Sequence, residues 1–388
     1  MPGLLDGIRV VELGIALVGP WAAKQLGALG ADVIKLEDPA GEMLHRVPPY
    51  IHGTSAVYIS ANLNKRNMTL DLKDPKGLEA ALRLLDTADV FIENMRPGTV
   101  KRLGLSYEDL VVRNPRIICV SASAYGATGP MSGFAGADGF VQAFCGWCSI
   151  TGAPGTEGEM VRYPSHMDNT AATVITESVL QALVARERTG QGQQIEIDML
   201  SAALSIQSTR IAEFFATGQQ PQPMGSATAT TVPHEAFRCQ DQIYLAVGVI
   251  AEDQWPRFCE AMQLTELLAE PRFATNPLRV ANRDVLVPLL AERFASKPSI
   301  WWTQRLLRQR VPHARTLDTT AMLIHPQVTA NGFIEQIDTP HWGRITVEAA
   351  PWQFHGTPLD PQRAGGLKGE HNDEVLGELA AATPKMGG

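Results

Sequence analysis

The chain has 388 residues, of which 45% are hydrophobic and 19% charged, and its formal net charge is −8. This length exceeds what one ordinary hydrophobic core organises, so two domains are expected. The acidic balance excludes the basic field that general nucleic-acid binding or attachment to an anionic membrane requires, although a few local cations can still bind a small anion.

Cysteine usage and hydropathy favour the cytoplasm. The five cysteines are few and odd in number, which predicts free thiols in a reducing compartment rather than a disulfide framework. Asp6 and Arg9 lie near the start of the chain, where a secretory signal peptide would be apolar. The sequence contains no run of ~20 apolar residues, so we expect no transmembrane helix.

The first half alternates short β-rich runs with helical stretches. Pro20 suits the first position of a helix, and Asp74 suits a helix cap. We predict strands at 8–13, 32–36, 68–72, 89–92 and 116–120, and helices at 20–30 and 74–86. This alternation is typical of a Rossmann-like parallel sheet covered by helices.

The second half begins with a long helix and then changes in amino-acid composition. Residues 168–188 are predicted as that helix, followed by a break at 189–192, a strand at 194–198 and a helix at 200–216. Residues 218–233 are rich in Gln, Pro, Ser, Ala and Thr, which predicts a linker or loop. A strand at 243–247, amphipathic helices to about 310, short strands within 332–349 and a polar tail follow.

These patterns predict a large α/β domain and a smaller α+β domain. The large domain is assigned to residues 1–217, and the linker and small domain to 218–330. Residues 331–388 are expected to form a C-terminal segment that returns to the large domain.

The glycines after the first strand imitate a dinucleotide-binding fingerprint. Gly14 and Gly19 lie in that turn, and Glu37 ends the second strand. The fingerprint needs three glycines in the spacing G-x-G-x-x-G, and this turn has two. A strand–helix–strand unit without NAD is therefore favoured, with an NAD-dependent oxidoreductase as the alternative.

Cys145 and Cys148 form a C-x-x-C pair, which can serve redox or metal chemistry. The sequence has no second Cys/His pair at metal-binding spacing. The pair also follows an apolar helical stretch, and buried free cysteines are common packing residues. Packing is favoured over a redox or metal site.

Basic residues cluster at or near the ends of predicted strands. The cluster comprises the segment 64–67, Lys73, Arg96, Lys101 and Arg102. Open α/β sheets bind ligands at the carboxyl ends of their strands. A phosphate-bearing ligand is one reading of this cluster, and solvated surface charge is the other.

Asp168 begins the predicted long helix. Asp is a favoured N-cap, so its pattern alone predicts a structural cap. The N–H groups of a helix start also stabilise an ionised carboxylate, and a nucleophilic carboxylate must be ionised. His166 could act as a base, but a lone histidine is more often structural.

The chain resembles the class III CoA-transferase family in blocks spread over nearly its whole length. The blocks are 5–13, 19–20, 29–37, 64–66, 70–73, 88–94, 96–98, 103–105, 114–116, 129–130, 188–193 and 369–376. The resemblance implies a Rossmann-like large domain, a small domain, and a homodimer of two subunits threaded as interlocked rings. The implied substrates are an acyl-CoA and a small carboxylic acid, with CoA as part of the substrate and neither a tightly bound cofactor nor a metal.

The resemblance also assigns roles to individual residues. It implies that Asp168 is the catalytic nucleophile. The implied CoA contacts are Ala16, Leu17, Leu70, Lys73, Asn94, Arg96 and Arg102, and the implied substrate loop includes Gly225, Ser226 and Ala227. Formyl-CoA transferases have a Gln where this chain has Leu17, and a loop richer in glycine, so formate and oxalate are disfavoured as substrates.

Related chemistries remain as alternatives. The family's 2-methylacyl-CoA racemases pair an aspartate with a histidine in a G-H-D segment, whereas this chain has Gly136-Ala137-Asp138. An intramolecular transfer between the two carboxyls of one dicarboxylate stays open. Succinyl-CoA is a common donor in the family. A distal carboxylate could be held by Arg46, Arg162 or His166.

Overall fold

The computed structural model describes residues 3–156, 158–159 and 165–381. They form two compact units, and the first comprises the described residues of Met1–Trp147, Arg162–Gln219 and Gln327–Gly388. The second comprises those of Cys148–Val161 and Gln220–Pro326. The described residues of 148–161 thus group with the second unit, whereas the sequence analysis had assigned this stretch to the large domain.

The first unit contains eight strands within residues 9–198, a stretch with gaps at 157 and 160–164. They are β1 (Arg9–Leu13), β2 (Asp32–Glu37), β3 (Tyr50–Ile51), β4 (Thr54–Ser55), β5 (Lys65–Thr69), β6 (Val90–Glu93), β7 (Ile118–Ser123) and β8 (Gln194–Asp198). The helices in this part of the chain are α1 (Val18–Ala28), α2 (Ala56–Ala61), α3 (Pro75–Asp86), α4 (Thr99–Arg102), α5 (Tyr107–Val111), α6 (Asp138–Phe144), α7 (Trp147–Ile150), α8 (His166–Thr189), α9 (Met199–Ser205) and α10 (Ser208–Thr217).

Six of these strands form one parallel sheet in the order β5-β2-β1-β6-β7-β8. Numbered along the chain, that order is 3-2-1-4-5-6, the order of a doubly wound Rossmann sheet. The predicted parallel α/β fold is therefore confirmed. The direction of winding reverses between β1 and β6, so the segments that leave these two strands diverge and open a crevice at the carboxyl edge.

Apolar residues bury both faces of the sheet. Val10 and Val90 belong to one core, with helices α1, α8 and α9, while Val11 and Phe91 belong to another on the opposite face, with α3. Neighbouring strand residues point to opposite faces, so continuous apolar runs are what a two-sided sheet needs. Residues of α8 at the predicted helical spacing are buried in the first core: Ala171, Ile175, Val179 and Leu183.

The structure corrects three predicted element positions. Helix α1 begins at Val18, so Pro20 is its third residue, where a missing N–H is still tolerated because the first helical N–H groups have no partner in the helix. Strand β5 spans 65–69 rather than 68–72, because Asp71 accepts from the Lys73 N–H and turns the chain there. The helix predicted at 200–216 is two helices, interrupted at residues 206–207.

The second unit holds a three-stranded antiparallel sheet in the order β11-β10-β9. Its elements are β9 (His234–Arg238), β10 (Tyr244–Gly248), α11 (Gln254–Met262), α12 (Asn276–Ala281), α13 (Arg283–Ala295), α14 (Ser299–Arg308), β11 (His313–Arg315) and α15 (Thr319–Leu323). Its core includes large aromatic residues, with Phe237, Phe258, Phe294 and Trp302 all buried.

The C-terminal elements are α16 (Pro326–Ala330), β12 (Ile334–Thr339), β13 (Gly343–Glu348) and α17 (Asn372–Ala381). Helix α17 was missed by the sequence analysis, which predicted only a polar tail. Its Val375 and Leu379 are buried in the core shared with α3, while Arg66 of β5 pairs with Glu374 and Glu378. None of the helices within the described residues combines the length and apolar character needed to cross a bilayer.

Candidate active site

Two cavities open at the carboxyl edge of the six-stranded sheet, where β1 and β6 lie side by side. The larger has a volume of about 590 Å³ and the smaller about 440 Å³. Ile15, which follows β1, and Met95, which follows β6, line both cavities. The two cavities are thus adjacent at the point where ligands bind in this kind of sheet.

The larger cavity brings together the predicted nucleophile and four of the predicted CoA contacts. Asp168 lines it together with Ala16, Leu17, Asn94 and Arg96. These side chains come from three elements: the turn after β1, the segment after β6, and the first turn of α8. Segments far apart in the sequence therefore meet at one cavity, and the roles that the resemblance implies for these residues stay predictions.

Asp168 is the third residue of α8 rather than its N-cap, which corrects the sequence prediction. The cap position belongs to Ser165, whose φ of 59° is left-handed, and the helix begins at His166. Asp168 still lies in the first helical turn, where the positive end of the helix dipole favours an ionised carboxylate by up to about 1 kcal/mol.

Asp138 supplies the hydrogen bonds that a cap would provide. Its carboxylate accepts from the backbone N–H of Met167 at 2.7 Å and from that of Ser165 at 3.2 Å. Asp138 is buried at the start of α6, and the Gln142 side chain also donates to it at 2.6 Å. A carboxylate from another helix thus fixes the start of α8. The sequence analysis had not predicted this role. It had considered Asp138 only as the neighbour of Ala137, whose methyl group cannot carry a proton for racemisation.

Side chains hold the turn that connects β1 to α1. The Asn94 amide accepts from the Ile15 N–H at 2.8 Å and donates to the Ile15 carbonyl at 2.9 Å. The Glu42 carboxylate accepts from the Ala16 N–H at 2.8 Å. Asn94 was predicted as a CoA contact, and its side chain also supports the turn, because both ends of its amide bond Ile15.

Buried charges lie beneath this turn. Glu12, which is completely buried on β1, forms ion pairs with Lys35 of β2 at 3.3 Å and with Lys65 of β5 at 3.1 Å. Burial alone would lower the pKa of Lys35, yet the surrounding carboxylates, with Glu12 first among them, raise it. Burial lowers the pKa of Lys65 to about 8 although Glu12 attracts its charge. Lys65 and Arg66, suggested above as ligand-binding cations, instead form ion pairs within the protein.

Burial also raises the pKa of Glu42, although Lys35 and the Ala16 N–H favour its charged form. The sequence analysis did not single out Glu42, because a glutamate in a polar loop carries no signal of burial. The pairing of Glu12 with Lys35 did leave a signal in the sequence, since the two residues occupy paired positions in the parallel register of β1 and β2.

Glu37, the last residue of β2, is the centre of a neighbouring network. Its carboxylate accepts from the Tyr58 hydroxyl at 2.6 Å and from the Asn67 amide at 2.8 Å, and it lies 2.8 Å from His45 Nε2. Burial opposes its charge, but the bond to His45, the nearby Lys35 and the bond from Tyr58 lower the pKa of Glu37 to about 2. Glu37 is therefore a buried anion at the cavity edge.

The smaller cavity contains the remaining predicted CoA contacts. Leu70, Lys73 and Arg102 line it, so the structure brings together residues from the segment after β5 and from α4. Arg102 is exposed and donates to the Thr99 hydroxyl at 3.2 Å. Exposed Lys and Arg side chains at the mouth of a cavity can bind phosphate groups.

The predicted substrate loop lies in the second unit. The Gly225 N–H donates to the Gly152 carbonyl at 2.8 Å, and the Ser226 hydroxyl accepts from the Ala236 N–H at 2.9 Å. The adjacent Ala227 N–H donates to the Met224 carbonyl at 3.0 Å. These bonds fix the loop within its own unit, and its role in substrate binding stays a prediction.

His166, Arg46 and Arg162 were suggested above as side chains that could hold the distal carboxylate of a dicarboxylate substrate. His166 opens α8, and its ring lies 5.2 Å from that of Trp147. Arg46 is exposed at the end of the 3₁₀ turn Met43–Arg46. Arg162 lies outside the described residues.

Cys145 and Cys148 of the C-x-x-C segment are both half-buried thiols. The Cys145 thiol donates to the Gln142 carbonyl at 3.5 Å. Among the residues that the structure describes, no group of three or more His, Cys, Asp or Glu side chains is arranged to hold a metal ion. The geometry adds no support to a metal site at this segment.

Comparisons with known proteins identify relatives over almost the full chain. The sequence model of CoA-transferase family III matches residues 5–372. Human succinyl-CoA:glutarate CoA-transferase is 32% identical over 97% of this chain and 86% of its own length. Acetyl-CoA:oxalate CoA-transferase of Acetobacter aceti is 32% identical over 98% of this chain and 96% of its own length.

A solved structure has the same fold. The crystal structure of a CAIB/BAIF family protein from Brucella suis matches with a TM-score of 0.86 and 30% sequence identity. The match covers 98% of this chain and all of that protein's chain. The arrangement of strands and helices described above is therefore shared with a known structure at an identity that indicates common descent.

The buried Glu37 anion generates a prediction for acid stability. Its pKa of about 2 in the folded chain is below the ordinary value of ~4.3, so the folded state favours the charged form and gains about 3 kcal/mol above that value. This contribution should disappear as the pH falls from ~4.3 towards ~2. Glu37→Gln should therefore flatten the pH dependence of the free energy of unfolding in this range, as measured by urea denaturation at a series of pH values.

The exposed Glu187 of α8 provides the control for this experiment. Glu187→Gln removes the same charge from a solvated position and should leave the wild-type slope unchanged. Equal slopes for Glu37→Gln and wild type would contradict the account of Glu37.

Proposed function

The chain belongs to CoA-transferase family III and is a class III CoA-transferase, and we propose that it passes CoA between carboxylic acids through the carboxylate of Asp168. One observation carries the proposal. Asp168 lines the cavity at the switch point of the sheet, and an adjacent cavity offers Lys73 and Arg102 at the same edge. The candidate nucleophile and the candidate phosphate-binding cations thus line two adjacent cavities that share Ile15 and Met95.

Two helix starts meet at the larger cavity, which is lined by Asp168 and is called the reacting cavity below. Leu17 and Val18, at the start of α1, line it, as do Ser165 and Asp168 at the start of α8. Helix N-termini carry partial positive charge and favour bound anions. The cavity thus suits a carboxylate substrate, a thiolate leaving group and the oxyanions that form during acyl transfer.

The proposed reaction proceeds through two covalent intermediates. Ionised Asp168 attacks the thioester carbonyl of the donor, which forms a mixed anhydride and releases CoA thiolate. The thiolate attacks the aspartyl carbonyl, which forms an aspartyl-CoA thioester and releases the donor acid. The acceptor carboxylate then attacks this thioester, and the thiolate released attacks the acceptor's carbonyl, so acyl-CoA leaves and Asp168 is regenerated. Covalent catalysis divides one difficult exchange into easier steps.

This sequence of steps is balanced without a redox agent. Each step exchanges one acyl bond for another, and the electron pair of each broken bond leaves with CoA thiolate or with a carboxylate. We therefore propose CoA as part of the substrate and no tightly bound cofactor. The proposal places the CoA phosphates near Lys73 and Arg102, and the thioester near Asp168.

The wall of the reacting cavity favours acids with a hydrocarbon body. Leu17, Leu44, Val47 and Val57 line the cavity and pack together in one apolar cluster. The two relatives named above are equally identical to this chain, yet their names specify glutarate for one and oxalate for the other. The apolar wall therefore guides the proposal, and we propose a dicarboxylate with a methylene chain as acceptor and succinyl-CoA as donor.

Exposed aromatic residues support a homodimer. Phe140 and Phe144 of α6 are 65% and 54% exposed, and Phe215 of α10 is 79% exposed. Such side chains gain free energy when a partner covers them, at about 25 cal/mol per Å² of buried apolar surface. We propose that the two subunits interlock because the family resemblance implies it.

We also propose a cytoplasmic location, because the five cysteines are all free thiols.

Light scattering of the purified protein tests the subunit composition. The proposal predicts a mass twice that of one chain, stable on dilution because interlocked chains separate only on unfolding. A mass equal to one chain would contradict it.

Replacement of Asp168 tests the nucleophile. Asp168→Asn and Asp168→Ala should each lower kcat by roughly 10³-fold or more, because neither side chain can form the anhydride. Chromatography of acyl-CoA products measures the rate. Wild-type enzyme incubated with donor and then hydroxylamine should carry a hydroxamate on Asp168, detected by peptide mass spectrometry.

Asn169, the exposed neighbour of Asp168 in the same helical turn, provides the control. Asn169→Ala should keep near-wild-type kcat. An Asp168→Ala variant with wild-type activity would overturn the proposed mechanism.

Replacement of Leu17 tests the choice of acid. Leu17→Gln puts a polar group into the apolar wall and should lower kcat/KM for a five-carbon dicarboxylate roughly tenfold, relative to oxalate, since pocket contacts of one or two methylenes carry this much discrimination. A matrix of acyl-CoA donors and acid acceptors measures the ratio. An unchanged ratio would show that the wall does not select the acid.

A further inference from the structure

We propose that Glu42 is a positioning residue for CoA transfer: its carboxylate holds the turn of residues 14–17, which lines both cavities, in the conformation that catalysis requires. The inference rests on the proposed function. It concerns a loop carboxylate that has no part in the covalent steps.

Three consecutive backbone units of this turn are each held by a different side chain. The Gly14 carbonyl accepts from Lys35 Nζ at 3.0 Å, Ile15 is bonded twice to Asn94, and the Ala16 N–H donates to Glu42 at 2.8 Å. The turn therefore has little hydrogen bonding of its own here and takes its shape from its surroundings.

Ala16 shows why the turn needs this support. Its φ of 57° lies in the left-handed region, where the Cβ atom of a non-glycine residue is crowded by its own backbone. A hydrogen bond to a charged acceptor is stronger than one between neutral groups. The bond from the Ala16 N–H to Glu42 thus opposes this strain, and its loss would let the turn relax.

Glu42 is well placed to act as a fixed anchor. It is 8% exposed and precedes the 3₁₀ turn Met43–Arg46. Oε2 accepts from Ala16, while Oε1 lies 3.6 Å from Lys35 Nζ. Since Lys35 also bonds Gly14 and Glu12, one connected set of buried charges determines both the position of Glu42 and the shape of the turn.

Displacement of the turn should affect catalysis more than global folding. Ile15 lines both cavities, so the turn is the shared wall past which bound CoA must reach the cavity of Asp168. A misplacement of ~1 Å at a reacting centre can cost about 10²-fold in rate. Loss of the Glu42 anchor should therefore lower kcat strongly and weaken CoA binding modestly.

Three substitutions at Glu42 separate the hydrogen bond from other properties. Glu42→Gln keeps an acceptor oxygen and should retain kcat within about threefold. Glu42→Asp keeps the charge but is one methylene too short to reach Ala16, and Glu42→Leu removes the acceptor. Both should lower kcat by roughly 10- to 100-fold and raise the Kd for CoA by less than about tenfold, measured by transfer assay and calorimetry.

Hydrogen exchange supplies a readout that needs no turnover. The Ala16 amide should exchange roughly tenfold or more faster in Glu42→Asp and Glu42→Leu than in wild type, and at the wild-type rate in Glu42→Gln. Peptide-resolved mass spectrometry measures it. If Glu42→Leu does not fold, the Gln and Asp variants still decide the question.

Leu379 of α17 provides a control for general destabilisation, because it is buried in the sheet core that α17 shares with α3. Leu379→Ala should lower the unfolding midpoint and leave kcat per folded enzyme unchanged. Wild-type kcat and wild-type Ala16 exchange in Glu42→Asp would overturn the inference. Failure of the proposed mechanism would appear differently, as activity that survives in Asp168→Ala.

Discussion

The pairing of Glu12 with Lys35 and Lys65 is the constraint on which the site depends. The three side chains lie on β1, β2 and β5, which are neighbours in the sheet, and all are buried. Removal of one partner from a buried ion pair typically costs about 3–5 kcal/mol, because the other charge is left without compensation. The cluster therefore ties three strands together and fixes where the chain leaves β1.

The same cluster explains the glycine that follows β1. A Cβ atom on Gly14 would lie 2.2 Å from Glu12 Oε1, far inside van der Waals contact. The carboxylate that binds both lysines thus occupies the space that a side chain at position 14 would need. Gly14 is required for close packing over a buried charge, and no bound dinucleotide is needed to explain it.

Buried carboxylates from other elements position both sides of the reacting cavity. Glu42 accepts the Ala16 N–H on one side, and Asp138 accepts the Met167 N–H on the other. Glu42 binds the turn that leads into α1, and Asp138 binds the first turn of α8, where N–H groups lack partners within the helix. The cavity of Asp168 is therefore bounded by two segments whose conformations are imposed by contacts distant in sequence.

Because these contacts join residues distant in sequence, the sequence predicted some elements of the fold and misplaced others. Alternating apolar runs predicted the parallel sheet, and Asp74 was correctly assigned as the cap of α3. Strand β5 was misplaced because Lys65 and Asn67 look like loop residues until their buried partners are known. The start of α8 was misplaced for the same reason, since the carboxylate that accepts its Met167 N–H belongs to Asp138, 29 positions away in the sequence. Family resemblance indicated Asp168, whereas the tasks of Glu42 and Asp138 follow only from three-dimensional contacts.

The most direct test of the central claim is to follow oxygen through a single turnover. The acceptor acid is labelled with oxygen-18 in its carboxylate, mixed with enzyme and unlabelled acyl-CoA, and the enzyme is digested for mass spectrometry. Because the bridging oxygen of the second anhydride comes from the acceptor and stays on the enzyme, the account predicts one labelled oxygen on Asp168 after a single turnover. Product acyl-CoA formed with no label on Asp168 would contradict it.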